Sequence, residues 1–273
     1  MFFNVQGIVA ALALLALARP AAGAPAERTY HLRFAAQVAG QRFACGHSYA
    51  GIGADRATLT PESFRFYVSE VALVDSNGVT TPLTLEQDGT WQRRDVAFID
   101  FDAGAGCSSG GSGAHDQVTG SAPDGHYVGL RFTLGVPEDL DHADATIAES
   151  PLNLSEMFWS WQDGYKFLNL DARVRPNVPN AQPETFVFHL GSSGCSETNK
   201  TVHCRFPNRP VIALDRFDPA TSVVVADLAG LLRTTDLRRS NGGCMSDFST
   251  ACPAAMHAVG LDSKLAQTLF SVK

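Results

Sequence analysis

The sequence predicts an all-β fold, a single sandwich-like domain with minor helices that is stapled by disulfides. Three observations carry this expectation. Short segments of alternating apolar and polar residues recur along the chain, turn signals separate them, and six cysteines follow an N-terminus with the form of an export signal.

Met1 to Ala24 holds an apolar run, Ile8 to Ala18, then the small residues Ala21-Ala22-Gly23-Ala24, and the mature chain meets its first charge at Glu27. This is the organisation of a secretory signal. The run falls well short of the roughly 20 residues that a membrane-spanning helix needs, and no later stretch comes closer. Residues 1–24 therefore read as a leader and residues 25–273 as one domain, exported to the periplasm without a membrane span. The mature length sits at the upper end of what one β-rich core holds. A formal charge of −7, with no cluster of Lys or Arg, argues against nucleic acid as a partner.

Tyr30 to Val38 alternates with Tyr30, Leu32, Phe34 and Ala36 on one face and His31 on the other, as a half-buried strand does. Phe64 to Val74 alternates similarly and leads into Asp75-Ser76-Asn77-Gly78, a hairpin turn, with Val79 to Leu85 as the return strand. Further strands are expected at Val96–Phe101, Tyr127–Leu134, Thr185–Leu190 and Val211–Leu214. Helical periodicity appears near Val223–Leu232 and Leu261–Phe270. Ala103 to His115 is almost wholly Gly, Ser and Ala around Cys107 and predicts a mobile surface loop tethered by its cysteine. Arg173 to Pro183, with Pro176, Asn177, Pro179 and Asn180, predicts a second loop or crossover.

The cysteines are Cys45, Cys107, Cys195, Cys204, Cys244 and Cys252. An even number in an exported chain predicts disulfides. Loop closure favours Cys195 with Cys204 and Cys244 with Cys252, which leaves Cys45 to join Cys107 across a long loop. Cys45-Gly46-His47 does not extend to a zinc site, because no second Cys-x-x-Cys completes four ligands.

No nucleophile elbow, zinc-protease helix, phosphate loop or haem-attachment motif is present, and nothing in the chain argues for an enzyme. Asp141 and Asp144 read as solvated loop residues rather than an acid/base pair. The most unusual stretch is Phe158-Trp159-Ser160-Trp161-Gln162-Asp163-Gly164-Tyr165-Lys166-Phe167. An extended hairpin there would put both indoles on one face, as a packed aromatic cluster or a sugar-binding platform. An intact indole offers a metal no in-plane lone pair. Oxidative opening of its pyrrole ring to kynurenine would create an aniline amine and a ketone, both metal donors. Nitrogen donors would come from the eight histidines, of which His189, at the end of Phe186-Val187-Phe188, and His142, upstream of the tryptophans, stand out. The thioethers of Met245 and Met256 rank below them.

These residues, in order, resemble the MbnP-like copper-binding family, also described as four-cysteine metallo-pair proteins. The resemblance spans most of the mature chain. It rests on Phe43-Ala44-Cys45-Gly46, Phe64 to Ser69, Gly129 to Pro137, His142-Ala143-Asp144 and Ser150-Pro151-Leu152-Asn153, then Trp159-Ser160-Trp161, Gly164 to Phe167, His189 to Cys195 and Gly243 to Ser246. Ser193 stands where threonine is expected. The resemblance implies a copper homeostasis, storage or delivery protein that holds one copper ion as Cu(I). It implies that Trp159 is oxidised to kynurenine by a partner di-haem enzyme of the cytochrome c peroxidase and MauG type. It puts forward His189 and His142 as nitrogen ligands and leaves Trp161 a supporting or structural role. The alternative is a metal-free binding module whose Trp91, Trp159 and Trp161 stack on a glycan or protein partner.

Overall fold

The computed structural model describes residues 1, 26–104, 106–108, 113–199, 201–239, 242–246, 253–262 and 264–273. The leader reading falls almost wholly outside them, as does much of the Gly/Ser-rich loop.

Two sheets face each other across the core. The smaller runs Phe270–Val272, Val223–Asp227, Glu27–Val38, Gln117–Pro123, Thr84–Leu85. The larger runs Val211–Asp215, Tyr127–Leu134, Ala57–Asp75, Leu168–Arg175, Glu184–Leu190, Gly243–Cys244, with Val96–Asp100 also pairing with its central strand. Alternation sets the faces as the sequence predicts: Tyr30, Leu32, Phe34 and Ala36 are buried while His31 is exposed. Phe34 packs edge-on against Phe66 at 6.1 Å and Phe132 at 5.9 Å, bridging the sheets, and Phe270 caps the same pair. This is an all-β sandwich.

The long strand Ala57–Asp75 is buried continuously from Phe64 to Ser69, because both of its faces are covered there. On the side away from the core, Tyr67 donates to the Pro151 carbonyl at 2.9 Å and lies edge-on to Tyr165 at 6.0 Å. The Tyr165 hydroxyl in turn donates to the Leu152 carbonyl at 2.5 Å. These two phenols fasten the segment carrying both tryptophans onto the outer face of the larger sheet. Burial raises the Tyr67 hydroxyl well above its usual range and, with the charges of Asp141 and Asp144, pushes Tyr165 up to about 12. Both remain neutral donors.

Several expectations are corrected. Val79 to Leu85 is not one return strand: Thr80–Pro82 pairs with Ala72–Val74, and Thr84–Leu85 crosses to pair with Gly120 and Ser121 in the other sheet. Val223–Asp227 is a strand, parallel to Glu27–Val38, because consecutive valines suit a pleat better than a helix. Only Leu228–Leu232 is helical, and Asp227 caps it by accepting from the Ala229 N–H at 2.9 Å. Leu261–Phe270 is not a helix. The helix lies earlier, at Pro253–Ala258, Gly260 leaves it at φ +96°, and Phe270 begins a strand. Arg173–Arg175 continues a strand rather than opening a loop.

Cys45–Cys107 and Cys195–Cys204 are disulfides, as expected. Cys244 is disulfide-bonded too, while its expected partner Cys252 lies outside the described residues. No helix among the described residues is long and apolar enough to cross a membrane.

Candidate metal centre

Phe158–Ser160 and Gly164–Tyr165 form a short antiparallel pair, closed by a turn in which the Ser160 hydroxyl donates to Asp163 and accepts from its N–H. Gly164 adopts φ +77°, which this tight return requires. The tryptophans do not share a face. Trp161 sits in the turn and is 53% exposed, whereas Trp159 is half-buried and leans on Gly191. A Cβ at Gly191 would lie 2.5 Å from Trp159 Cζ3 and 2.6 Å from the Tyr165 carbonyl oxygen, so the missing side chain is what admits the indole. Trp91 is engaged elsewhere, stacked flat on His115 at 4.7 Å.

His189 lies beside this indole, with ring centroids 6.4 Å apart and planes tilted by 50°. Its Nε2 is 2.7 Å from Asp171 Oδ1. Burial alone would raise the Asp171 carboxyl. The hydrogen bonds from His189 and Asn169, with the charges of His189 and Lys166, outweigh it and hold the carboxyl below its usual range. Asp171 is therefore ionised at neutral pH and Nε2–H donates to it, so Nδ1 is the nitrogen that can offer a lone pair to a metal. That Nδ1 is buried and has no hydrogen-bond partner among the described residues. Leaving such a group unsatisfied costs about 1–3 kcal/mol.

The orienting carboxylate is itself held. Asn169 donates to Asp171 at 3.0 Å and to Ser63 at 3.1 Å, and Ser63 donates to Asp102, which pairs with the buried Arg65 at 3.2 Å. A polar row thus runs across three strands to His189.

The Gly243–Cys244 strand enters from the far end of the chain. It pairs in parallel with Val187 and Phe188 and ends at Cys244, one residue before Met245. Ser246 locks that register: its hydroxyl donates to the His189 carbonyl at 2.9 Å and accepts from the Gly191 N–H at 2.6 Å. Met245 is held between two buried neighbours while remaining 57% exposed itself. Met256 is buried in the core instead.

His142 is placed differently. Its Nδ1 is 3.0 Å from the Trp161 carbonyl oxygen, and its Nε2 is 3.3 Å from Cys204 Sγ and 3.6 Å from Asp141 Oδ2. Clusters of three His, Cys, Asp or Glu donors within 4.8 Å of one another, among the described residues, are His142 with Cys195 and Cys204, and Asp102 with Cys45 and Cys107. Neither includes His189. Trp159 and His189 thus come together, and the nitrogens of His142 face another cluster. Asp141 joins the two regions by accepting from the Tyr165 N–H at 3.0 Å and the Ser192 hydroxyl at 2.6 Å. Burial raises its carboxyl against those bonds.

Sequence reasoning missed Asp171, Ser246 and the role of Gly191, and Asp141, read as a solvated loop residue, is buried. A signal for Asp171 was present: along Leu168–Arg175 the alternation puts Asn169, Asp171, Arg173 and Arg175 on one face, and Asn169 is buried there.

A family model described as MbnP matches residues 27–246. Among solved structures, MbnP from Methylosinus trichosporium is similar at 31% identity and a TM-score of 0.77, covering 90% of this chain and 98% of that one. No curated protein matches.

Proposed function

This chain belongs to the MbnP family, and from that premise we propose that it is a periplasmic copper carrier which holds one Cu(I) beside Trp159 once that residue has become kynurenine. It serves copper storage or delivery and is not itself an enzyme. The single observation that carries the reading is the His189 Nδ1: buried, bare of any proton donor, and fixed in that tautomer by an ionised carboxylate. A carboxylate behind a histidine is the usual support of a metal-ligating imidazole.

His189 supplies the nitrogen. Met245, exposed just beyond the strand that pairs with Val187 and Phe188, offers a soft thioether, which suits Cu(I). His142 drops out of the ligand set, because its nitrogens face Trp161 and Cys204. Opening the indole of Trp159 adds two oxygen atoms across its C2–C3 bond, and hydrolysis then releases C2 as formate. Two equivalents of peroxide supply the oxygens and leave as water, and the di-haem partner of the cytochrome c peroxidase and MauG type is the catalyst that uses them. The product exposes an amine and a ketone beside Nδ1.

Peptide mass spectrometry with copper analysis tests this, on protein co-expressed with the di-haem partner and on protein made alone. The expected result is a gain of about 4 Da on Trp159, with one copper per chain, only in the co-expressed sample. Equal copper in both samples with Trp159 intact would overturn the matured site. Absence of copper from both would favour a metal-free module using the exposed Trp161.

A further inference from the structure

Cys195 and Cys204 face one another across the hairpin Ser193–Thr198 and Thr201–Phe206, with Cα atoms 3.8 Å apart. The flanking pairs Ser193 with Phe206, Ser196 with His203 and Glu197 with Val202 hold that register independently of the bond between the sulfurs. Both cysteines are half-buried, and Ser196, Glu197, His203 and Arg205 around them are exposed, so a small dithiol can reach the bond.

We propose that Cys195, Cys204 and His142 form a second metal site, gated by the redox state of this disulfide, that takes a thiophilic ion of the Zn(II) or Cu(I) class after reduction. Three features of the geometry support it. The Nε2 of His142 is 3.3 Å from Cys204 Sγ, and the three donor atoms lie within 4.8 Å of one another. A tetrahedral ion with metal–sulfur bonds of about 2.3 Å and metal–nitrogen bonds of about 2.0 Å spaces its nitrogen and sulfur ligands about 3.5 Å apart. The nitrogen and the nearer sulfur already stand at that spacing, and only the two sulfurs must part. Secondly, the Trp161 carbonyl can only accept, so His142 Nδ1 carries a ring proton and Nε2 is the nitrogen left facing the sulfur. A backbone carbonyl behind the other ring nitrogen is a common support of ligating histidines. Thirdly, the buried Asp141 lies 3.6 Å from that Nε2 and favours a cation there.

The other donor cluster lacks these features. The oxygens of Asp102 near Cys45 and Cys107 are spent on the Phe64 N–H, the Ser63 hydroxyl and Arg65.

The opening step is ordinary thiol–disulfide exchange with an external dithiol. A dithiol thiolate attacks Cys195 Sγ, the sulfur–sulfur bond breaks, and Cys204 leaves as a thiolate beside His142. The second dithiol sulfur then attacks the mixed disulfide and departs in an oxidised, cyclic disulfide. Two electrons and two protons pass from the dithiol to the cysteines, and binding a metal expels the two thiol protons. The site uses neither Trp159, His189 nor Met245, so it stands or falls apart from the copper reading.

The test is titration of the whole mature protein with Co(II), oxidised or reduced with dithiothreitol and desalted anaerobically. Reduced protein is expected to bind one Co(II) with thiolate-to-metal charge-transfer absorption, which Zn(II) abolishes by displacement, while oxidised protein shows none. C195S/C204S should lose the signal. H142A keeps both thiols and should bind at least tenfold more weakly, since losing even an outer-shell partner costs roughly 10- to 100-fold. Circular dichroism accompanies both variants, and H142A decides the matter if the double variant fails to fold. No absorption in reduced wild type, absorption that persists in folded C195S/C204S, or unchanged affinity in H142A would each overturn the proposal.

Discussion

Replacing Asp171 with Asn tests whether the tautomer of His189 governs copper affinity. The change is nearly isosteric, and the new side chain still reaches Nε2. An amide, however, can present either its oxygen or its NH2, and the NH2 face would make Nε2 an acceptor and move the ring proton onto Nδ1. That blocks the one ring nitrogen without a partner among the described residues. Even with the oxygen inward, the neutral amide withdraws the charge that makes the imidazole a better donor. Losing an outer-shell partner of this kind typically weakens a metal about 10- to 100-fold, or about 1.4–2.7 kcal/mol. The measurement is Cu(I) competition against a chromophoric chelator on matured protein, with H189A as the reference for complete ligand loss. D171N also gives up a charge-assisted bond, and because that carboxylate is 30% exposed the fold should tolerate it. D171N affinity equal to wild type, in a protein where H189A abolishes binding, would refute the claim that Asp171 fixes the ligand.

Two further outcomes are expected. G191A forces a Cβ to within 2.5 Å of Trp159 Cζ3 and 2.6 Å of the Tyr165 carbonyl; overpacking of this kind costs about 1–3 kcal/mol, read as a melting temperature lower by roughly 2–4 °C per kcal/mol and as loss of copper. His115 is stacked on Trp91 and its ring is held below the usual histidine range, first by burial, against the nearby charge of Asp88. The unfolded chain takes up that proton more readily, so stability should be full above about pH 6.5 and fall as pH drops through the folded value. Denaturant titrations across pH 5–8 should show a flatter dependence in H115F, and an equal slope in both proteins would refute the assignment.

The sandwich was legible in the sequence because its strongest strands bury one face each. Tyr30 to Val38 declares its inner residues by alternation alone, and Asn77-Gly78 declares a turn. The errors arose where tertiary pairing overrode a local pattern. The apolar spacing at Val223–Leu232 fits a helix, yet a strand edge on Glu27–Val38 was free to take Val223–Asp227 in parallel, and the helix begins only where Asp227 can cap it. Val79 to Leu85 reads as one strand, but the two sheets divide it between them. Within the site, the chemistry-bearing types were visible: Trp159, His189 and Met245. The approach of Trp159 to His189 was not, because it depends on a glycine whose importance lies in the side chain it lacks.

Among the described residues, two buried ring nitrogens lack a hydrogen-bond partner, His115 Nε2 and His189 Nδ1, and the contrast between them explains why only one is read as a ligand. The His115 ring is stacked face to face with Trp91, its planes only 1° apart, so packing already accounts for its burial. Its lowered pKa is what desolvation does to an imidazole kept for its shape. At His189 the environment is polar on one side by construction: an ionised Asp171 fixes Nε2, Asn169 fixes Asp171, and Ser246 clamps the backbone. These supports act through Nε2 and the backbone, and Nδ1 has no partner among the described residues, in a ring beside an indole admitted by Gly191. Groups that break the rule of buried polar satisfaction while their neighbours obey it are expected at binding sites. On the function proposed above, the unsatisfied nitrogen is the fold's half of a bond that a metal would complete once Trp159 has acquired donors of its own.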